Sequence, residues 1–117
     1  MNQVTISTPA RSVRAIDEIR QVFGLTETAF ARLFRVSRQA VEKWRRHGVP
    51  AGRSADLDRV LEIARVFQQR LIESRIPQIV RTPAAGLGQR TVLEVLEMQG
   101  AEPIYRYLHK LYSYAGV

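Results

Sequence analysis

Cationic and amide side chains are concentrated in one short segment of the chain, "SRQAVEKWRRHG". Val41 and Trp44 are three residues apart, so in a helix they share one face and turn inward. The opposite face then carries Arg38, Gln39, Glu42, Lys43, Arg45 and Arg46. Arginine can reach the acceptors of guanine, glutamine can pair with adenine, and lysine can hold a phosphate. The segment therefore predicts a helix that contacts duplex DNA through Ser37, Arg38, Gln39, Lys43, Arg45 and Arg46.

A second helix must brace this one if it is to enter a groove of DNA. The preceding "LTETAFARLFRV" supplies that helix, with Thr26 as a natural N-cap and small Ala31 where the two helices must cross. The start of this helix, at Thr26 and Glu27, can also donate to a phosphate. The same spacing fits two amphipathic helices of a bundle with a solvated arginine face. Periodicity alone does not separate these two interpretations.

No arrangement of side chains for catalysis or metal binding accompanies this segment. The chain has no cysteine, and His47 and His109 are single and far apart, without metal partners at usable spacing. The acids of the second half are scattered, and we expect them to pair with nearby arginines at helical spacing, as Glu62 with Arg65. The loop "GLGQR" lacks the preceding strand and the lysine-serine pair of a phosphate-binding loop. We therefore expect no enzyme activity, no cofactor and no metal.

Signals for the start and end of helices follow one another along the whole chain. Residues 1 to 9 read as a loose arm, after which Ser12 and Gly24 bound a first helix. Gly48 suits a left-handed C-cap of the DNA-contacting helix. Ser54 caps a long helix with the apolar stripe Leu57, Val60, Leu61, Ala64, Phe67, Leu71 and Ile72, which Ile63 and Val66 widen. This helix, over residues 54 to 75, links the two halves.

Two prolines, Pro77 and Pro83, bracket the segment after the linking helix and allow at most a turn or two of helix there. Thr91 caps a short helix that Gly100 ends, and a last amphipathic helix starts at Pro103. No run alternates convincingly with period two. The chain therefore predicts an all-α fold, an N-terminal helix-turn-helix bundle packed with a small C-terminal helical domain.

The positive charge lies almost entirely in the first half of the chain. The net charge is +7, and residues 1 to 53 carry ten Lys or Arg against four acids, while the remainder is nearly balanced. We therefore expect anion binding and the role of the second half to be separate functions, in domains at residues 1–53 and 54–117. The length of 117 residues suits one compact unit or two small, intimate lobes. Neither a signal peptide nor a membrane-spanning run is evident, so we expect a cytoplasmic protein without membrane contact.

The first half resembles the helix-turn-helix of the Xre and Cro repressors. The residues that fit that pattern are Leu25, Thr26, Phe30, Ala31, Val36, Ser37, Val41 and Trp44. One departure is Arg35, at the turn position where the class usually has glycine. An arginine there must adopt a positive φ, or the turn must be built differently.

The second half resembles the C-terminal domain of the MbcA/ParS/Xre antitoxins. The residues in matching order are Arg81, Pro83, Leu87, Gly88, Arg90, Leu93, Leu96, Gly100, Tyr105 and Leu108. Departures are Val92 for a frequent proline, Ile79 for a common tryptophan and Ala84 for an asparagine. This resemblance implies a type II antitoxin whose partner is a RES-domain toxin, an enzyme that consumes NAD. It also implies that the C-terminal domain covers the active-site cleft of the toxin and that the last residues can enter it.

The tail "LYSYAGV" suits such a contact, since tyrosines are low-entropy anchors beside a thin apolar end. We expect Tyr105 and Tyr112 in the core and Tyr107 and Tyr114 on the partner surface, although all of the tyrosines could simply complete the core. The predicted toxin contacts are Arg81, Pro83, Leu87, Arg90, Tyr107, Tyr114, Ala115, Gly116 and Val117.

These observations predict an antitoxin that occludes its toxin and represses its own operon by binding a palindromic operator. We expect a homodimer that forms a hetero-oligomer with the toxin. One alternative is a stand-alone, phage-like transcriptional regulator without a toxin. Another is an interaction module whose helix-turn-helix no longer binds DNA.

Overall fold

The computed structural model describes residues 8–115. Within that range the chain forms α-helices and two short 3₁₀ turns and has no strand, which confirms the predicted all-α fold. The helices are α1 (Pro9–Phe23), α2 (Glu27–Leu33), α3 (Arg38–His47), α4 (Ala51–Arg70), α5 (Ile76–Ile79), α6 (Val92–Gln99) and α7 (Glu102–Ala115). The 3₁₀ turns span Glu73–Arg75 and Ala85–Leu87.

Three of the predicted N-caps are confirmed. The hydroxyl of Thr26 accepts from Ala29 N–H, and that of Ser37 accepts from Ala40 N–H. Thr91 forms a reciprocal capping box with Glu94, in which each side chain accepts from the backbone of the other residue. Such caps satisfy N–H groups that have no partner within the helix, so the starts of α2, α3 and α6 are locally encoded.

Two other predicted caps are wrong because the helices begin earlier. Thr8 caps α1, with Pro9 in its first turn, whereas the buried Ser12 hydroxyl accepts from Val49 N–H at 3.1 Å. α4 follows Pro50 directly, so Ser54 lies inside its first turns. Gly48 ends α3 with φ 91° and ψ 162°, which is a positive φ but not the left-handed helical conformation that we predicted.

One hydrophobic core includes side chains from both halves of the chain. Ile16, Ile19 and Phe23 of α1 are fully buried, and α1 packs against α3, α4 and α5. The ring of Phe23 meets that of Phe67 edge to face, with centroids 6.1 Å apart. The C-terminal half adds Val80, Val92, Val95, Leu96, Ile104 and Leu108 to the same core. The boundary at residue 53 stays a prediction, and the core crosses it.

The apolar stripe of the long helix is confirmed over most of its length. Leu57, Val60, Ile63, Ala64 and Phe67 are buried. Ile72 was predicted in the same stripe, but its side chain is 68% exposed. The reason is that α4 ends at Arg70 and the backbone becomes extended, so the helical spacing no longer applies.

Charged residues of α4 pair with other elements rather than with neighbours in their own helix. Arg65 donates to both carboxylate oxygens of Glu18 in α1, at 2.8 and 3.0 Å. Glu62 accepts from the hydroxyl of Tyr105 in α7 at 2.6 Å. The predicted pair of Glu62 with Arg65 is therefore wrong, because each of them finds a partner across a helix interface.

Candidate functional site

Buried side chains fix the orientation of α3. Val41 is fully buried and Trp44 nearly so, and the ring of Trp44 meets Phe34 edge to face with centroids 6.1 Å apart. With these residues inward, the side chains that α3 leaves exposed are Arg38, Gln39, Glu42, Lys43, Arg46 and His47. The structure thus brings most of the predicted DNA contacts onto one exposed face, beside the exposed caps Ser37 and Thr26.

Two of the exposed cations on α3 are free to meet an external anion. Within residues 8–115, neither Arg38 nor Lys43 has a carboxylate within ion-pair distance. Arg46 lies 3.9 Å from Glu42 of its own helix, and both side chains are well exposed. An exposed pair of this kind is weak and screened by salt. The face is therefore predominantly cationic.

Arg45 is the exception among the predicted DNA contacts of α3. Its side chain is 18% exposed and pairs with Asp17 at 2.9 Å and Glu27 at 3.0 Å. Burial lowers its pKa, but the hydrogen bonds and charges of the two carboxylates raise the pKa by more, so the guanidinium stays charged. The prediction that Arg45 faces outward is wrong, because it joins α3 to α1 and α2.

Glu27 was also predicted at the DNA surface and is held inside the same charge cluster. Its carboxylate lies 3.4 Å from Arg20 as well as 3.0 Å from Arg45. Its side chain is only partly exposed. Glu27 therefore positions α2 against its neighbours and is not presented to a ligand.

Arg35 takes the left-handed conformation in the turn between α2 and α3, with φ 57°. Of the two alternatives for this position, the structure has the positive φ. The turn is closed by Arg35 N–H donating to Arg32 and Val36 N–H donating to Ala31. The guanidinium of Arg35 donates to the carbonyl of Glu97 at the end of α6, which ties the turn to the C-terminal half.

Arg81, one of the predicted toxin contacts, hydrogen-bonds to backbone carbonyls of its own chain. Its guanidinium donates to the carbonyls of Phe23 and Pro77, both at 2.7 Å, and of Gly24 at 2.9 Å. Carbonyls at a helix C-terminus lack partners within the helix, so these bonds complete the end of α1. Arg81 therefore connects α5 to α1 from an exposed position on the surface.

Three of the four other predicted toxin contacts whose side chains the structure describes lie around two hollows on the C-terminal half, which we call together the double groove. The first hollow, of about 360 Å³, lies between the end of α4, α5 and α7 and includes Pro83 and Tyr107. The second, of about 780 Å³, lies between the 3₁₀ turn at Ala85–Leu87, α6 and α7 and includes Leu87 and Tyr107. Arg90 is exposed, and its guanidinium lies 2.9 Å from the sulfur of Met98.

Tyr107 separates the two hollows and is held against the backbone of Gly86. A Cβ atom at Gly86 would lie only 2.7 Å from a ring carbon of Tyr107, so this close approach requires glycine. Leu111, one turn further along α7, lines both hollows and is 45% exposed. Arg106 and Lys110 were not predicted at this surface, and apolar periodicity predicts Leu111 on the buried face of the last helix. The spacing of these three residues with Tyr107 nevertheless places all four on one side of α7.

The remaining tyrosines behave as predicted where the structure describes them. Tyr105 and Tyr112 are half-buried against the core. Burial and the hydrogen bond to Glu62 raise the pKa of Tyr105, so its hydroxyl stays protonated and donates. The guanidinium of Arg70 lies over the ring of Tyr112, 5.0 Å from its centroid. The side chains of Tyr114 and Ala115, with Gly116 and Val117, lie outside the described residues.

Neither a metal-binding cluster nor a membrane-spanning helix is found in the part of the chain that the structure describes. No three His, Asp or Glu side chains there lie close enough together to hold a metal ion. None of the helices at Pro9–Ala115 is long and apolar enough to cross a membrane. No family model, curated protein or solved structure matches the chain.

Proposed function

We propose that this protein is a type II antitoxin that binds operator DNA through α3 and a RES-domain toxin through its C-terminal half. The observation that carries the DNA-binding part is the exposed cationic face of α3, which the burial of Val41 and Trp44 fixes in place. The toxin-binding part is supported by the resemblance of residues 81–108 to the antitoxin domain and by the double groove on that half.

On DNA, four of the exposed side chains of α3 have distinct tasks. Arg38, in the first turn, reaches the major-groove acceptors of guanine, and Gln39 pairs with adenine. Lys43 and Arg46 hold phosphates and set the register of the helix in the groove. Base contacts then supply specificity, while phosphate contacts supply most of the affinity.

The DNA-binding part is tested with Arg38→Ala combined with Lys43→Ala. Both side chains are exposed, so the double variant should fold as the wild type does. We expect it to lose sequence-specific retention of the DNA upstream of its own reading frame in a gel shift. Each lost bidentate base contact is worth about 1 to 3 kcal/mol, or roughly tenfold or more in affinity. Unchanged retention would exclude α3 as the recognition helix. Absence of specific retention by the wild type itself would favour the interaction module that does not bind DNA.

The toxin-binding part is tested with the product of the neighbouring reading frame. Coexpression of a tagged antitoxin should copurify that product, and deletion of Tyr114 to Val117 should release toxicity in cells that express both proteins. Full protection by the truncated chain would show that the tail is not the inhibitory element. Specific DNA binding without any toxin beside it or bound to it would favour the stand-alone regulator.

A further inference from the structure

The double groove combines an apolar floor with a rim of a single charge sign. Its apolar centre is Tyr107 with Leu111, and the described lining of both hollows contains the cations Arg75, Arg106 and Lys110 but no carboxylate. Arg106 has one weak neighbour, Glu102, at 3.5 Å in the same helix, with both side chains about two-thirds exposed. Exposed apolar area beside uncompensated charge indicates a surface that is completed by another molecule.

The charge of the rim discriminates between possible occupants. In a symmetric dimer formed through this face, the same cationic surface of both copies would be brought together. Like charges brought together at an interface oppose association, and the whole chain is already at +7. DNA offers the right charge but no apolar side chains for the two hollows. A protein segment with apolar anchors and acidic flanks matches both features.

We propose that the double groove binds an acidic, amphipathic segment of a partner protein, with one apolar anchor on each side of Tyr107. The inference rests on the proposed function, because the groove lies on the half that we assign to the toxin. The anchors enter the two hollows, and Asp or Glu side chains on the same segment meet Arg106 and Lys110. Tyr107, fixed by its contact with Gly86, sets the spacing between the anchors. This is the helix-in-groove type of recognition, in which apolar side chains at regular spacing supply the affinity.

The chemistry of the occupant can be tested before the partner is identified. A phage-displayed library of random peptides of about 12 residues is selected on the full-length protein. We expect the enriched peptides to carry two apolar anchors and an excess of Asp and Glu. Enrichment of neutral or basic peptides, or no enrichment, would overturn the proposal.

Matched charge reversals then locate the binding site. Arg106→Glu with Lys110→Glu should weaken the binding of the synthesised acidic peptides by about tenfold or more. This is the size of effect expected at a binding hot spot. Arg38→Glu with Lys43→Glu changes the net charge equally on α3 and should leave the affinity nearly unchanged. Equal effects of the two double variants would show that peptide binding depends only on net charge and would contradict the assignment of the binding site to the double groove. Tyr107→Ala should also abolish binding, and Tyr107→Phe, which keeps the ring, should retain it.

Copurification and peptide binding together distinguish a wrong groove assignment from a wrong antitoxin function. If the neighbouring gene product copurifies equally with wild type and with the Arg106→Glu and Lys110→Glu variant, the groove assignment is wrong and the antitoxin function stands. If acidic peptides bind the groove but no toxin copurifies, the antitoxin function is wrong and the groove assignment stands.

Discussion

At the scale of single residues, Arg35 has the most unusual conformation in the N-terminal half. Its φ of 57° lies in the left-handed region, where the Cβ atom of an L-residue crowds the backbone at a cost of about 1 to 2 kcal/mol. The bond from its guanidinium to Glu97 partly offsets that cost. Arginine thus keeps the turn geometry that glycine would supply and adds a contact that glycine could not make.

Two substitutions separate the strain at Arg35 from its contact. Arg35→Gly and Arg35→Ala both remove the bond to Glu97, but only glycine adopts the positive φ without crowding. We expect Arg35→Gly to be more stable than Arg35→Ala by about 1 kcal/mol in urea unfolding. Arg14, exposed in the middle of α1, is the control position, because there glycine should be less stable than alanine by about 1 kcal/mol. The same order at both positions would contradict the strained turn.

Capping residues in the sequence predicted the existence of the helices better than the residues at which the helices begin. Thr26, Ser37 and Thr91 are caps as predicted, because each is itself extended and is followed at once by a helix. Ser12 looks equally suitable, yet its hydroxyl accepts from Val49, 37 residues away. A tertiary partner of that kind leaves no mark in the local sequence.

At the scale of elements, α1 and α4 run side by side in the same direction. Arg11 pairs with Asp58 and Glu18 with Arg65, so both contacts join residues separated by the same 47 positions. The hydrogen bonds from Arg65 lower the pKa of Glu18, although partial burial opposes that change. The folded state therefore favours the ionised carboxylate of Glu18.

The Glu18 pair should make stability depend on pH in the acid range. Folding lowers the pKa of Glu18. The contribution of the ion pair to stability is therefore fully present above the ordinary pKa of 4.5 and is lost as the pH falls through the folded-state pKa. Glu18→Gln should lower the free energy of unfolding by about 0.5 kcal/mol near neutral pH and leave it almost unchanged in strong acid. The effect is small because the pair is partly exposed to solvent. Urea unfolding at several pH values measures the difference. Glu42→Gln, at an exposed carboxylate 3.9 Å from Arg46, should show a smaller dependence.

The elements also show which pairings the sequence could not predict. Periodicity identified the buried face of α4, because burial repeats along a helix. It could not identify the partner of each charged side chain, and Arg45, Arg65 and Arg81 all bind groups on other elements. A side chain on the polar face of one helix can still be buried in the folded protein when another helix packs beside it. For this reason the outward orientation predicted for Arg45 is wrong.

At the scale of the whole molecule, the protein has two cationic surfaces of different character. The face of α3 carries cations with few apolar side chains, which suits phosphates and base edges. The double groove carries cations around Tyr107 and Leu111, which suits an acidic protein segment. The sequence predicted separate functions for the halves from the charge distribution alone. It could not predict the shared core, because contacts such as Phe23 with Phe67 join distant residues.

These two surfaces predict different responses of DNA binding to salt when one lysine is removed from each. Lys43 on α3 and Lys110 on α7 are both exposed, and replacing either by alanine lowers the net charge equally. If Lys43 neutralises a phosphate, Lys43→Ala should reduce the slope of log K against log salt concentration by about 1, because one fewer counterion is released. Lys110→Ala should leave the slope unchanged, since its surface faces a protein. Equal reductions would show that DNA responds to net charge alone, and a larger reduction for Lys110 would place the DNA on the double groove.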